Sequence, residues 1–157
     1  MPSSVKIKSC GLTREKDVEL ALELGADYCG FIVYPKSPRG LSYERAAELA
    51  ALVPAGKRVV VDVATSIDDL KCLRELGFDY YQIHTKQEVD SEMLLAYSQT
   101  VGKEQLWLAP RVAPEDSFHE SILDFADTIL IDTFSKDQVG GTGQTGDWER
   151  FSKLQGA

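Results

Sequence analysis

The chain repeats itself, and the repeat limits what it can fold into. Glu-Leu-Gly-Ala-Asp-Tyr at 23–28 returns as Glu-Leu-Gly-Phe-Asp-Tyr at 75–80, with a weaker echo, Leu-Asp-Phe-Ala-Asp, at 123–127. Aligned on the aspartate, the steps from Asp27 to Asp79 to Asp127 are 52 and 48 residues. Each step has room for two strand–helix units. Strands that alternate with helices lie parallel in one sheet. Even steps suit a sheet that closes on itself, a (β/α)8 barrel, better than an open doubly wound sheet, where the crossover direction reverses partway.

The segments around the copies supply the units. Val5–Cys10 reads as a strand whose period of two puts Lys6, Lys8 and Cys10 on one face and Val5, Ile7 and Ser9 on the other. Thr13 is placed to cap a helix carrying Val18, Ala21 and Leu22, and Gly25 suits that helix's end. Asp27–Val33 is the second strand. Two prolines then stiffen the loop 34–40 and fix where Arg39 points. Ser42 caps a helix ending near Pro54, and Arg58–Val63 is the third strand. Ser66 caps Ile67–Leu76, with Asp69 at capping-box spacing. Asp79–His84, Gln105–Arg111 and Asp127–Asp132 read as strands four to six, with helices over Ser91–Gln99 and Asp116–Leu123 between them. Asp147–Leu154 begins another helix. Six units are therefore expected in 157 residues, as one barrel domain incomplete at its C-terminal end, because eight units need at least about 200 residues.

Charge narrows the partners. Seventeen basic and 25 acidic residues give a net charge of −8, which argues against nucleic-acid or membrane surfaces, since both require a basic field. Hydrophobic residues make up 43% of the chain, enough for a packed core. Cys10, Cys29 and Cys72 are odd in number and none has metal-ligand spacing, so free thiols in a reducing cytoplasm are expected. Cys29 and Cys72 read as core residues and His119 as an exposed helix residue.

The segment from Asp127 to Trp148 carries the chemistry. An apolar run, Ile129–Ile131, delivers a carboxylate, Asp132, to the end of a strand, and a loop rich in glycine follows. Gly141, Gly143 and Gly146 match the letters of a dinucleotide-binding fingerprint, but the loop starts well beyond the strand. Gly141 to Gly146 also has phosphate-loop spacing, with Asp147 and Trp148 where a lysine and a hydroxyl residue are required. Both nucleotide readings fail. What remains is a catalytic acid beside a glycine-rich loop, with Cys10 at the corresponding end of the first strand. Lys6 and Lys8 on an inward face would be foreign to an ordinary core, which favours a site.

The assembled segments resemble the phosphoribosylanthranilate isomerases of tryptophan biosynthesis. The likeness rests on 7–13 (Ile-Lys-Ser-Cys-Gly-Leu-Thr), on 23–39, on Gln82 to His84, and on Asp132-Thr with Gly-Gly-Thr-Gly-Gln-Thr at 140–145. It implies an aldose–ketose isomerase acting on a small phosphorylated substrate, without cofactor or metal, as a monomer or homodimer. The reaction is the Amadori rearrangement of N-(5-phosphoribosyl)anthranilate to 1-(2-carboxyphenylamino)-1-deoxyribulose 5-phosphate. The resemblance further implies that Cys10 is the general base, Asp132 the general acid, and Arg39 the holder of the anthranilate carboxylate. His84, Gln82, Lys8, Gly141, Thr142 and Gly143 are expected to meet the substrate, whose phosphate the family binds with the loops after its last two strands. The residue types suit the chemistry. Opening an aminofuranose requires a proton on the ring oxygen, and the Schiff base so formed acidifies the sugar C2 proton. A thiolate removes that proton readily, and Lys8 shares a strand face with Cys10. Asp62 and Ala64 stand where the family commonly has an apolar residue and Asn. Two other readings remain open: a non-catalytic fragment or scaffold that pairs with another chain, and a related sugar-phosphate barrel enzyme.

Overall fold

The computed structural model describes residues 5–85, 90–110, 120–132 and Glu149. Strands and helices alternate as β1 (Lys8–Cys10), α1 (Glu15–Glu23), β2 (Tyr28–Ile32), α2 (Tyr43–Ala50), β3 (Arg58–Val63), α3 (Ile67–Glu75), β4 (Tyr80–Thr85), α4 (Ser91–Val101) and β5 (Leu106–Pro110). A 3-10 turn, Glu120–Asp124, and β6, Thr128–Ile129, complete the described chain. The strands form one sheet in sequence order, with every neighbouring pair parallel.

The sheet is curled. In a flat sheet β1 and β4 would lie roughly 14 Å apart, three strand spacings. Yet the Lys8 ammonium hydrogen-bonds the Gln82 side-chain carbonyl. Deeper in the curl the ring centroids of Tyr28 (β2) and Trp107 (β5) are 4.9 Å apart, and those of Tyr28 and Tyr80 5.5 Å. These rings pack with Val59, Val61, Ile32 and Leu130 into an inner core. The outer faces of the strands build a second, larger core with the helices, including Val18, Leu49, Val60, Leu70, Leu73, Ile83 and Leu108. Two cores, one on each face of a continuous parallel sheet with the four described α-helices on the convex side, are the layering of a (β/α)8 barrel, and six of its eight units are present.

The repeat proves to be a device of the strand entrances. Asp27 accepts the Ile7 N–H at 2.9 Å and the Lys6 ammonium at 3.1 Å. Asp79 accepts the Arg58 N–H at 3.0 Å, and Asp127 stands 3.5 Å from Lys103. Each aspartate thus ties the start of an even strand to the segment entering the odd strand before it. Gly25 and Gly77 end the preceding helices at φ of +86° and +82°, where a side chain would be strained.

Local chemistry explains where the elements meet or depart from expectation. Ser42 and Ser66 cap α2 and α3, each accepting an N–H three residues on at 3.1 Å. Thr13 is not a cap: α1 begins a residue later behind Arg14, which makes no side-chain cap bond but pairs with Asp17 at 2.7 and 2.8 Å. β1 starts at Lys8, so the alternation does not reach Lys6, which lies in solvent paired with Asp27. The sixth strand is only Thr128–Ile129, and the expected helix over 116–123 is described only as the 3-10 turn from Glu120. Cys29 is buried as expected, but Cys72 is exposed on α3. His119 and the segment 147–154 apart from Glu149 lie outside the described residues. No helix among the described residues is long and apolar enough to cross a membrane.

Candidate active site

The register sorts side chains by face. Cys10 is aligned with Gly30, Val61 with Gln82 and Val63 with His84. Aligned residues in parallel strands share a face, so Lys8, Cys10, Gln82 and His84 belong to the concave side with Val59 and Val61. Within that face Cys10 and His84 lie toward the C-terminal ends of their strands and Tyr28, Tyr80 and Trp107 fill the N-terminal ends, while Lys8, the first residue of β1 and level with Tyr28, reaches from there to Cys10 and Gln82.

Polar contacts join them in series. The Lys8 ammonium donates to Cys10 Sγ at 3.3 Å and to Gln82 Oε1. Gln82 Nε2 lies 2.9 Å from His84 Nε2, and His84 Nδ1 stands 3.5 Å from Asp132 Oδ2. The thiol of the first strand and the carboxyl after the sixth are therefore the two ends of one line of side chains. Gln82 is buried, His84 has a side chain only 12% exposed, and Asp132 is 46% exposed. Burial, reinforced by the nearby Lys8 charge, holds the His84 pKa below that of a free imidazole, although Asp132 pulls it the other way.

Arg39 reaches the same place from the β2–α2 loop. Its guanidinium donates from Nη1 to the Cys10 carbonyl at 3.1 Å, and its own N–H is held by Ser37 Oγ at 3.2 Å. The side chain belongs to an exposed residue. Gly11, at φ +80°, makes that approach possible, since a Cβ there would lie 2.7 Å from Cζ and 2.9 Å from Nε of Arg39.

Six of the sequence-derived candidates, Cys10, Lys8, Arg39, Gln82, His84 and Asp132, are thus brought into one neighbourhood. Gly141, Thr142 and Gly143 lie outside the described residues. Sequence reasoning misses Gly30. A Cβ on it would come within 2.9 Å of Cys10 Sγ and 3.0 Å of Lys8 Cε, so the bare glycine makes space for both side chains. The available signal is a glycine interrupting an apolar strand, which marks a close approach.

A curled parallel sheet presenting a thiol, an ammonium, an imidazole and a carboxyl at its C-terminal rim defines a barrel enzyme of the acid–base kind. The family model for N-(5'-phosphoribosyl)anthranilate isomerase matches residues 7–157, and the chain belongs to that family. An N-(5'-phosphoribosyl)anthranilate isomerase of Aquifex aeolicus is 36% identical over 152 residues, which cover 96% of this chain and 71% of that protein. Among solved structures, the phosphoribosyl anthranilate isomerase of Thermus thermophilus superposes with a TM-score of 0.78 at 24% identity, over 97% of this chain and 72% of its own. A structure of a phosphoribosyl anthranilate isomerase in complex with reduced 1-(o-carboxyphenylamino)-1-deoxyribulose 5-phosphate superposes at 0.69 with 24% identity, over 98% and 71% of the two chains.

Proposed function

We propose that this chain catalyses the Amadori rearrangement of N-(5'-phosphoribosyl)anthranilate, with Asp132 as acid and Cys10 as base. Protonated Asp132 gives its proton to the furanose ring oxygen as the C1–O bond breaks, and the anilinic nitrogen's lone pair forms the C1=N Schiff base. The Cys10 thiolate then takes the C2 proton, and the electrons of that bond flow to the iminium nitrogen. The resulting enolamine tautomerises to the C2 ketone and the C1 methylene of the aminodeoxyribulose product. Lys8 donates to Cys10 Sγ at 3.3 Å and so fixes where the sulfur sits in the site. Arg39 offers a planar fork to the anthranilate carboxylate. From the sequence alone, Gly141, Thr142 and Gly143 complete the substrate's surroundings within a single barrel domain. Free cysteines, Cys10 exposed among them, suit a reducing cytoplasm.

The observation that carries this reading is the unbroken line from Cys10 through Lys8, Gln82 and His84 to Asp132. Turnover, followed as loss of the substrate's aminobenzoate fluorescence, tests it. Cys10→Ala and Asp132→Asn should each lower kcat by at least the 10²–10⁴-fold that acid–base groups supply. A near wild-type rate in either variant would remove that residue from the mechanism.

A further inference from the structure

The middle of that line has a direction built into it. An ammonium can only donate, so the Gln82 atom facing Lys8 must be its carbonyl oxygen. The amide nitrogen is then left facing His84 Nε2 at 2.9 Å, and an amide NH2 can only donate in turn. His84 Nε2 must accept, which leaves the ring's single proton on Nδ1, the nitrogen 3.5 Å from Asp132 Oδ2. The reverse amide orientation would set NH2 against ammonium, and a doubly protonated ring would set N–H against NH2. Each arrangement other than the first puts two donors face to face in a part-buried site.

We infer that Gln82, oriented by Lys8, is a positioning residue that fixes His84 as the Nδ1–H tautomer aimed at Asp132. Resting on the assignment of Asp132 as the acid, the inference gives His84 a task. Asp132 becomes a carboxylate when its proton leaves for the ring oxygen, and a neutral N–H donor waiting beside it stabilises that charge. The 3.5 Å separation is long for a hydrogen bond, and such contacts tighten around a bound reactant. Fixing the tautomer beforehand means no proton has to be rearranged on the imidazole during the reaction. Lys8 is then shared between the two ends, donating to the Cys10 sulfur on one side and to an oriented amide on the other.

Nitrogen-15 spectroscopy of the imidazoles tests this directly. The chain has two histidines, His84 and His119, so His119→Gln assigns the spectrum. In the wild-type protein above neutral pH, long-range proton–nitrogen correlations should show His84 Nδ1 as the protonated nitrogen and Nε2 as the bare one. In Gln82→Glu the new carboxylate accepts from both sides, and the proton should appear on His84 Nε2. Gln82→Met, which removes the constraint without adding an acceptor, should give a mixture. A wild-type His84 protonated on Nε2 overturns the inference even if no variant folds, as does a Gln82→Glu pattern identical to wild type. The outcome is separable from the assignment of the acid. A wrong tautomer with inactive Asp132→Asn sinks this inference alone, and the right tautomer with active Asp132→Asn sinks the acid alone. In turnover, Gln82→Glu should lower kcat tenfold or more with a smaller change in KM, a split that a purely structural role would not give.

Discussion

Gly30→Ala isolates how closely the thiol is held. The glycine's φ lies outside the left-handed region, so alanine meets no backbone objection there. Its methyl would nevertheless sit 2.9 Å from Cys10 Sγ, 3.0 Å from Lys8 Cε and 3.3 Å from the backbone α-carbon of Cys10. Ordinary van der Waals separation begins at 3.4 Å, so the sulfur must retreat by about 0.5 Å and the lysine chain by nearly as much. Rotating a side chain does nothing for the crowding against the Cys10 backbone, so the strands part slightly as well. A displacement of about 1 Å costs near 10²-fold in rate, so half of that predicts a fall of about tenfold in kcat, roughly 1.4 kcal/mol of barrier. Overpacking destabilises by about 1–3 kcal/mol, and the loss of chain freedom in the unfolded state returns about 0.4–1 kcal/mol of that. The variant should therefore fold, with a modestly lower urea midpoint, and turn over slowly. Steady-state kinetics beside urea unfolding reads both effects. A folded variant with kcat within twofold of wild type would refute the claim that Gly30 sets the position of the thiol.

Three further outcomes follow from other parts of the molecule. Arg39→Lys keeps the charge but loses the fork, so KM should rise about 10- to 100-fold while kcat stays close to wild type; equal KM would show that Arg39 does not hold the substrate. Ala64 sits at φ 49°, a conformation Asn tolerates better than Ala, so Ala64→Asn should gain about 0.5–1 kcal/mol, seen as a Tm higher by about 2–3 °C. Acidification acts through His84. Its folded-state pKa is depressed, so from about pH 6.5 downward the unfolded chain binds more protons and stability falls. Unfolding free energies at pH 7, 6 and 5 should show this slope in the wild type and a shallower one in His84→Gln.

The fold is legible where local chemistry decides it. Arg58–Val63 can be read to the residue because a run of valines ends at a turn that Ala64 and Thr65 make. Asp62, pushed up in pKa chiefly by burial, and Tyr97 anchor that turn through Thr65, at 2.8 and 2.6 Å. The two serine caps are legible because each needs only a hydroxyl three residues before an N–H. The entry of the chain is not: alternation gives Lys6 a face that exists only where a strand does, and the strand begins two residues later. At the site, the residue types and their strand ends can be read, and the roles of Cys10 and Asp132 come from the family likeness. The partners cannot be read. Lys8 and Gln82 are 74 positions apart and meet only because the sheet curls, and curvature has no local signature in either segment. Asp62 and Ala64 show the converse. The resemblance implies other residue types at both, yet Asp62 is buried against Thr65 on the helix side of β3 and Ala64 sits in the turn that follows. Stability rather than chemistry registers a change at either position.

For both groups to act in one reaction, a single small sugar must touch the first strand's thiol and the carboxyl that follows the sixth strand. A crystal structure of this protein with reduced 1-(o-carboxyphenylamino)-1-deoxyribulose 5-phosphate tests it most directly. The sugar should lie between them, with a carboxyl oxygen of Asp132 within about 2.6–3.2 Å of the oxygen it protonates and Cys10 Sγ facing the C1–C2 bond. An analogue bound against only one of the two, or seated away from the C-terminal rim, would contradict it.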